Sequence, residues 1–585
     1  MGGVRLGLDI SARQRHARVF KLGDRKEPCA RTPALILFDD DIELSINLAP
    51  FKCMRIDETL PPSFRISGRA PLSPPFEKNS PSWEFEQGHV YPPSLSETEG
   101  KSTGSSTPIL SLSLQRMMHD SSIVDIEPPS FVVITDAVQL AKRSKEFVEA
   151  MLIVRETFPS ALIWCPGLSG PDNIALLTWL GVDLHDLSRS RQAHAAGALL
   201  TSNGPREIDV ELEGELTMEL QISQWKTEIA TIRNSIHGLK LRELVEKRIL
   251  NYPKSVEQLR HHDHIVNERK IESLARHVSR DYVLQCNSPL IRTDPIIMEW
   301  SRKISSKYVP HKSRQKLLIL LPCSAKKPYR NSKSHRRFRH DIGDICATEI
   351  SVTSPLGLVP RELEELWPAA NYDIPVTGHW DEGEISLIKA TLTGILERIK
   401  FELIINNSGF DFGSEFCGIK VIETTKETFS EQIKIAKKNL NIEDQSLKAK
   451  RMIEYQTIST WHYGSSKWLD GTKLVGKPPH WKIEKTRQPF ARWNHLNNSF
   501  SFSKAALPVL AETGTLPSAK IELVGDWNGD VFAPMVISFD KSIRVGDIVL
   551  LYSKEDVLIG SGVAQAPAWE WNHGCGRLAK VRHRL

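Results

Sequence analysis

Lys316–Phe338 reads KLLILLPCSAKKPYRNSKSHRRF, and the reading of the fold starts there. The uninterrupted apolar run Leu317–Leu321 has no polar alternation, as expected of a strand covered on both faces in a parallel sheet. It stops at Pro322 and gives way to a lone thiol, Cys323. Lysines, arginines, a tyrosine, serines and a histidine follow. Between Ser301 and His340 there are thirteen Lys or Arg and no Asp or Glu. Such a run needs either water or a counter-charge, and a phosphate-bearing ligand is one source of it. Placement at a strand end favours the ligand, because α/β folds bind at the carboxyl ends of their strands.

The sequence around this stretch predicts a second strand at Phe401–Asn407, helices at Pro360–Trp367 and Ile385–Lys400, and a further helix in ETFSEQIKIAKKNL. Together they predict an α/β core domain over 313–440. Upstream, Phe131–Thr135, Ala161–Cys165 and GVDLHDL alternate with helical patterns. This predicts a partial α/β barrel over 121–211 with right-handed crossovers. Residues 212–312 form a charged helical segment. Residues 1–120 comprise weak strands at Ala34–Phe38 and Ile42–Leu48, then a Pro/Ser-rich linker from about residue 61 with too little apolar content to pack. A mixed, Trp-rich connecting domain covers 441–515. Short strands and turns over 516–585 predict a small β-barrel.

The chain has 585 residues, 25% of them charged, with a formal net charge of +5. Several domains are required at this length. The eight cysteines include no CxxC pair, which argues against a zinc ribbon, an iron–sulfur cluster and a disulfide scaffold. No metal or other cofactor is expected. His261–His264 reads HHDH, but neighbours on a helix point to different faces and do not form one chelating set. The amino terminus has no signal-like apolar segment, Leu6 breaks a myristoylation pattern, and no run is long enough to span a bilayer. A cytoplasmic location without membrane contact is expected.

Cys323 has two readings. One is an inert half-buried thiol. The other is a nucleophile whose thiolate is favoured by Lys326, Lys327 and His335. Tyr329 and Phe338 add aromatic surface on which unpaired bases stack.

Pro322-Cys323, Lys327-Pro328-Tyr329, Ser332 and His335 reproduce the spacing PCxxxKPYxxSxxH. This resembles the signature of archaeosine synthases, paralogues of tRNA-guanine transglycosylase. TSPLGLVPRELE (Thr353–Glu364) and YDIPVTGHW (Tyr372–Trp380) also resemble that family. GVDLHDLSRSR (Gly181–Arg191) is similar to a stretch of transglycosylase barrels, and FAPMV, RVGDIVLL and IGSGVAQA look like a PUA domain. The resemblance implies an α/β multidomain chain: a truncated transglycosylase-like barrel, the helical segment, the core catalytic domain and a PUA-like β-barrel. It departs from transglycosylases in having no cysteine over Thr201–Gly214, where many members hold zinc.

The implied reaction is on tRNA that carries 7-cyano-7-deazaguanine in its D-arm, whose nitrile becomes an amidine. The amine donor is lysine or glutamine. With lysine, a separate radical-SAM lyase partner completes the product; a homodimer is also compatible. A nitrile carbon accepts a thiolate, and an amine then displaces the sulfur. The catalytic candidates are Cys323 as nucleophile, Lys327 and Tyr329 at the nitrile nitrogen, and His335 as proton carrier. Ser332, Asp373, Thr377 and Gly378 are substrate-binding candidates, with Asp373 suited to an ammonium group. Lys326, Lys333, Arg336 and Arg337 are candidate RNA contacts in the core, and Arg577, Lys580, Arg582 and Arg584 at the carboxyl end. Two rival readings remain: a non-catalytic tRNA binder that presents RNA to a partner enzyme, and an active transglycosylase.

Overall fold

The computed structural model describes residues 8–23, 26–38, 41–53, 68–73, 83–87, 109–113, 117, 119–269, 282–375, 379–478, 480–523 and 527–585. The chain divides into two compact units. The first comprises Met1–Ser273, Asn528–Val536 and Gln565–Ala579. The second comprises Leu274–Trp527, Ile537–Ala564 and Lys580–Leu585.

In the first unit, β1 (Leu8–Gln14), β2 (Ala17–Gly23) and β3 (Pro28–Arg31) form an antiparallel sheet. A larger sheet uses β4 (Ala34–Phe38), β5 (Phe51–Cys53), β6 (Gly68–Ser73), β7 (Trp83–Gln87), β8 (Ile109–Leu112), β9 (Phe131–Ile134), β10 (Leu162–Trp164) and β11 (Leu184–Asp186). Its order is β7-β6-β5-β4-β11-β10-β9-β8. The neighbours from β8 through β9, β10, β11 and β4 to β5 are parallel, whereas β5-β6 and β6-β7 are antiparallel. The three strands expected over 121–211 therefore share one sheet with strands from the first 120 residues. Most of the predicted linker lies outside the described residues.

Ile42–Leu48 is not a strand. It is irregular and ends in a turn, whose Leu48 carbonyl accepts from the Leu35 amide. The apolar spacing there serves a loop folded back on β4, not a ladder. Helices α1 (Ser144–Thr157), α2 (Ile174–Trp179), α3 (Ser188–Ala195), α4 (Met218–His237), α5 (Leu241–Arg248) and α6 (Pro253–Arg269) complete this unit. On α6, His262 and Asp263 are buried while His261 and His264 are not. Among the described residues no three His, Cys, Asp or Glu are placed to hold a metal.

The second unit opens with β12 (Leu284–Gln285) and α7 (Pro295–Lys307). Its central sheet begins with β13 (Leu317–Pro322), followed by α8 (Lys333–Ile342), β14 (Thr348–Thr353) and β15 (Gly357–Pro360). After β16 (Tyr372–Asp373), which pairs with β12, come α9 (Glu382–Leu396), β17 (Leu403–Asn406), β18 (Glu415–Phe416), β19 (Ile419–Glu423) and α10 (Phe429–Asn439). The sheet order is β15-β14-β13-β17-β19-β18, and β13 is parallel to both β14 and β17.

Alternate residues of β13 feed two cores. Leu318 and Leu320 pack with Ile388, Leu392 and Ile395 of α9. Leu317, Ile319 and Leu321 pack with Phe338 and Ile342 of α8 and Phe429 and Ile433 of α10. The crossover leaving β13 thus lies on one face and the crossover returning to β17 on the other. The strand order therefore turns back at β13, between β14 on one side and β17 on the other, and α/β folds bind ligands at the carboxyl ends of strands at such a point.

Pro360–Trp367, predicted as a helix, is the end of β15 and a series of turns. Its glutamates account for the difference: Glu362 and Glu364 are each 1% exposed, drawn inward by arginines instead of lying on a solvated helix face.

The rest of the unit is α11 (Leu447–Tyr463), then an antiparallel sheet of β20 (Lys473–Val475), β21 (Lys482–Lys485), β22 (Gln488–Asn494) and β23 (Ser499–Phe502) in that order. It also holds β24 (Ser518–Ile521) parallel to β25 (Ile548–Tyr552), and β26 (Leu558–Ala564) antiparallel to β25. The last strand is β27 (Arg577–Arg584). Among the described residues no helix is long and apolar enough to cross a membrane.

Candidate active site at the end of the central strand

Cys323 is the first residue beyond β13, and it is exposed although Leu317–Leu321 behind it are buried. The turn is fixed from behind. The buried His335 imidazole donates from Nε2 to the Pro322 carbonyl at 2.9 Å and accepts at Nδ1 from the Arg361 guanidinium at 3.0 Å. Burial, followed by the Arg361 charge, pushes its pKa down to about 3. The ring is neutral, and both nitrogens are occupied. His335 therefore holds the peptide that precedes Cys323.

Tyr329 is fully buried and stacks on His335, with centroids 5.3 Å apart. Its hydroxyl meets Thr353 Oγ1 at 3.1 Å and also the Tyr372 hydroxyl. Burial raises its pKa. Ser332 caps α8: its Oγ accepts from the His335 amide at 3.2 Å. Removing a cap of this kind costs about 1 kcal/mol.

Lys327 is half-buried. Its Nζ lies 4.2 Å from the centroid of the Tyr372 ring, a cation–π contact. Burial lowers its pKa, while Asp373, Cys323 and Cys286 act in the opposite direction. The half-buried ammonium thus lies within the electrostatic reach of the exposed thiol and of Asp373. Asp373 is exposed at the end of β16, and its Oδ1 accepts from the Ile374 amide at 3.0 Å. Thr377 and Gly378 lie outside the described residues.

The thirteen cations divide into two groups. Arg314 pairs with Glu362 at 2.8 Å. Arg330 reaches Glu364 at 2.6 Å, Glu365 at 3.1 Å and Glu454 at 3.3 Å. Arg361 joins the cluster through Glu364 and Glu349, both at 3.0 Å, and Arg451 through Glu365 at 2.9 Å. Burial works against ionised Glu454, yet Arg330 and Arg451 hold it down to about 2. Arg337 donates to the Lys426 carbonyl at 2.9 Å and lies 3.6 Å from Asp341. Lys326, Lys333 and Arg336 are exposed and form no ion pair among the described residues. Four of the thirteen, Lys303, Arg314, Arg330 and Arg337, thus meet protein carboxylates, and a larger set is exposed to solvent.

At the carboxyl end, Lys580, Arg582 and Arg584 alternate on the exposed side of β27. Arg584 lies over the Trp527 ring at 5.1 Å. Arg577 is paired with Asp530 at 2.9 Å.

Sequence reasoning missed Arg361, Thr353 and Tyr372. Arg361 stands in RELEE, whose acids are the complement missing from the basic run. That imbalance was the available signal. Nothing local marks Thr353 or Tyr372 as partners of Tyr329.

Residues 297–452 match a domain of unknown function, and 523–585 match the PUA domain. An archaeosine synthase subunit alpha of Thermoplasma acidophilum is 26% identical over 76% of this chain and 86% of its own length. The Methanosarcina acetivorans archaeosine synthase subunit alpha is 24% identical over 78% of this chain and 80% of its own. A tRNA-guanine(15) transglycosylase of Methanobrevibacter smithii is 24% identical over 65% of this chain and 57% of its own. With these matches around the PCxxxKPYxxSxxH site, the chain is an α/β multidomain protein similar to archaeosine synthases and ending in a PUA domain.

Proposed function

We propose that this chain is a tRNA-modifying enzyme of archaeosine biosynthesis that converts the nitrile of 7-cyano-7-deazaguanine in the D-arm to an amidine. The observation that carries this reading is the exposed Cys323 thiol at the carboxyl end of the central strand, where the strand order turns back. The similarity to archaeosine synthases supports tRNA as the substrate.

Cys323, as thiolate, adds to the nitrile carbon and forms a C–S bond. The electron pair moves to the nitrile nitrogen, which takes a proton from the Lys327 ammonium and leaves a thioimidate. The donor amine then attacks the same carbon and loses a proton to Lys327. The C–S bond breaks, the thiolate is regenerated, and an amidine remains. Asp373 holds the ammonium of an incoming lysine. With lysine as donor the product keeps the lysine carbons, and a radical-SAM lyase partner releases archaeosine; with glutamine, water first hydrolyses the side-chain amide to glutamate and ammonia, and ammonia is the attacking amine. Tyr329, His335 and Ser332 act by holding Cys323 and Lys327 in place, since their polar groups are engaged within the protein. Lys326, Lys333 and Arg336 contact RNA phosphates, as do Lys580, Arg582 and Arg584.

Base exchange is not part of this reading. The carboxylates at β11 are committed: Asp183 to Arg155 and the Ile163 amide, Asp186 to the Trp164 indole and the amides of Gly167 and Ser188.

The test is mass analysis of nucleosides from nitrile-bearing tRNA after incubation with the pure chain and lysine or glutamine. A lysine-sized adduct or archaeosine is expected. With Cys323→Ser neither forms and tRNA affinity is retained. Full activity of that variant defeats covalent catalysis, and no product with the unaltered chain defeats the enzyme reading.

A further inference from the structure

We infer that the exposed face of the β20–β23 sheet is a second docking surface for the phosphate backbone of the substrate RNA. The inference rests on the reading of tRNA as substrate.

Between Asp470 and Glu512 there are seven Lys or Arg, and Glu484 is the only acid. The sheet carries three of them at exposed strand positions, with Glu484 directly opposite Lys473. Leu474, Ile483, Phe490, Trp493, Phe500 and Phe502 are buried in the core of this unit. Lys473, Lys482 and Arg492, at the alternate positions, are exposed. The register puts Lys482 directly opposite Arg492, and Val475 and Ser501 flank them in the same row. Like charges directly opposite weaken a sheet. Neither cation forms an ion pair among the described residues, and Lys477 and Arg487 add exposed charge at the turns on either side of β21. This contrasts with Arg314 and Arg330, whose charges are neutralised by buried glutamates. An anion from outside the chain is the missing complement.

The hairpin between β21 and β22 supplies an independent observation. Its two turn residues, Thr486 and Arg487, have φ of 50° and 66°. Two-residue hairpin turns of this hand favour Asn-Gly, and a β-branched residue at positive φ is an outlier. The strain displays the Arg487 guanidinium at the exposed tip, as strained residues often do at binding sites. The face is also linked to the PUA strand β27. His583 donates from Nε2 to the Phe502 carbonyl of β23 at 2.9 Å, and the neighbouring positions Lys580, Arg582 and Arg584 are exposed. A row of cations with little aromatic surface suits a helical RNA backbone rather than unpaired bases.

The experiment measures binding of an unmodified tRNA transcript to the full chain across a salt series. For Lys482→Glu with Arg492→Glu, affinity should fall at least about tenfold near 0.1 M salt, and the slope of log K against log salt should drop by about two. Thermal unfolding checks that the variant is folded. A second variant, Thr486→Asn with Arg487→Gly, relaxes the turn: its melting temperature should rise while tRNA affinity falls. If the unaltered chain binds the transcript and both variants bind it equally well, the surface is wrongly assigned and the tRNA reading stands. If the unaltered chain does not bind, both fall. If substitution abolishes binding to phosphatidylserine vesicles and leaves tRNA binding intact, the face belongs to a membrane and the inference is overturned.

Discussion

Cys323 stands where five buried aliphatic residues give way to solvent, and its neighbours divide between support and chemistry. His335 carries the motif's last position, yet its imidazole is neutral and occupied on both sides. The spacing PCxxxKPYxxSxxH made it a candidate, but only its partners in space define its part. Lys327 is the opposite case, since its ammonium lies over the Tyr372 ring and burial lowers its pKa below the ordinary 10.5. If it donates the proton to the nitrile nitrogen, the reaction needs the protonated form. Turnover should therefore fall as pH rises through a value below 10.5. Lys327→Arg keeps the charge and removes this titration, because a guanidinium stays protonated past 12. The descending limb should vanish or move upward in a pH–rate profile, at a lower maximal rate. An unmoved limb assigns the proton to another group.

At the scale of the element, α8 is set by its first turn. Ser332 caps it, and the helix then carries His335 back against Pro322. Ser332→Ala should cost about 1 kcal/mol in urea unfolding. It should also lower turnover through looser placement of Cys323, with little change in tRNA affinity. The sequence marked Ser332 as a substrate-binding candidate, and its role as a cap came only with the fold. The mistaken helix at Pro360–Trp367 teaches the same point. RELEELW has a helical spacing of apolar residues, but Arg314, Arg330 and Arg451 hold its carboxylates, and several charge-assisted bonds outweigh local propensity.

At the scale of the whole chain, the carboxyl-terminal segment contributes to both compact units. Glu570 shows what this means within the first. It pairs with Arg18 at 2.9 Å and Arg13 at 2.8 Å, and Arg18 and Glu570 are 1% and 0% exposed. Glu570→Ala leaves a buried guanidinium without its partner, at a cost of about 3–5 kcal/mol. A large drop in melting temperature should follow, and a chain truncated after Ile521 should be destabilised at least as much. An unchanged melting temperature for Glu570→Ala refutes this account. The sequence suggested a small β-barrel over 516–585 because strand and turn signals are local; a partner more than five hundred residues away leaves no local trace.

Sequence alone determined the buried strand Leu317–Pro322, the thiol at its end, the α/β character of both halves and the family resemblance, because apolar runs and motif spacing are properties of neighbours along the chain. The tertiary structure alone decided which cations are neutralised inside the protein and which remain outward. It also decided that both His335 ring nitrogens are engaged within the protein and that Tyr372 underlies Lys327. Electrostatics and burial depend on distance in space, and residues remote in sequence set both.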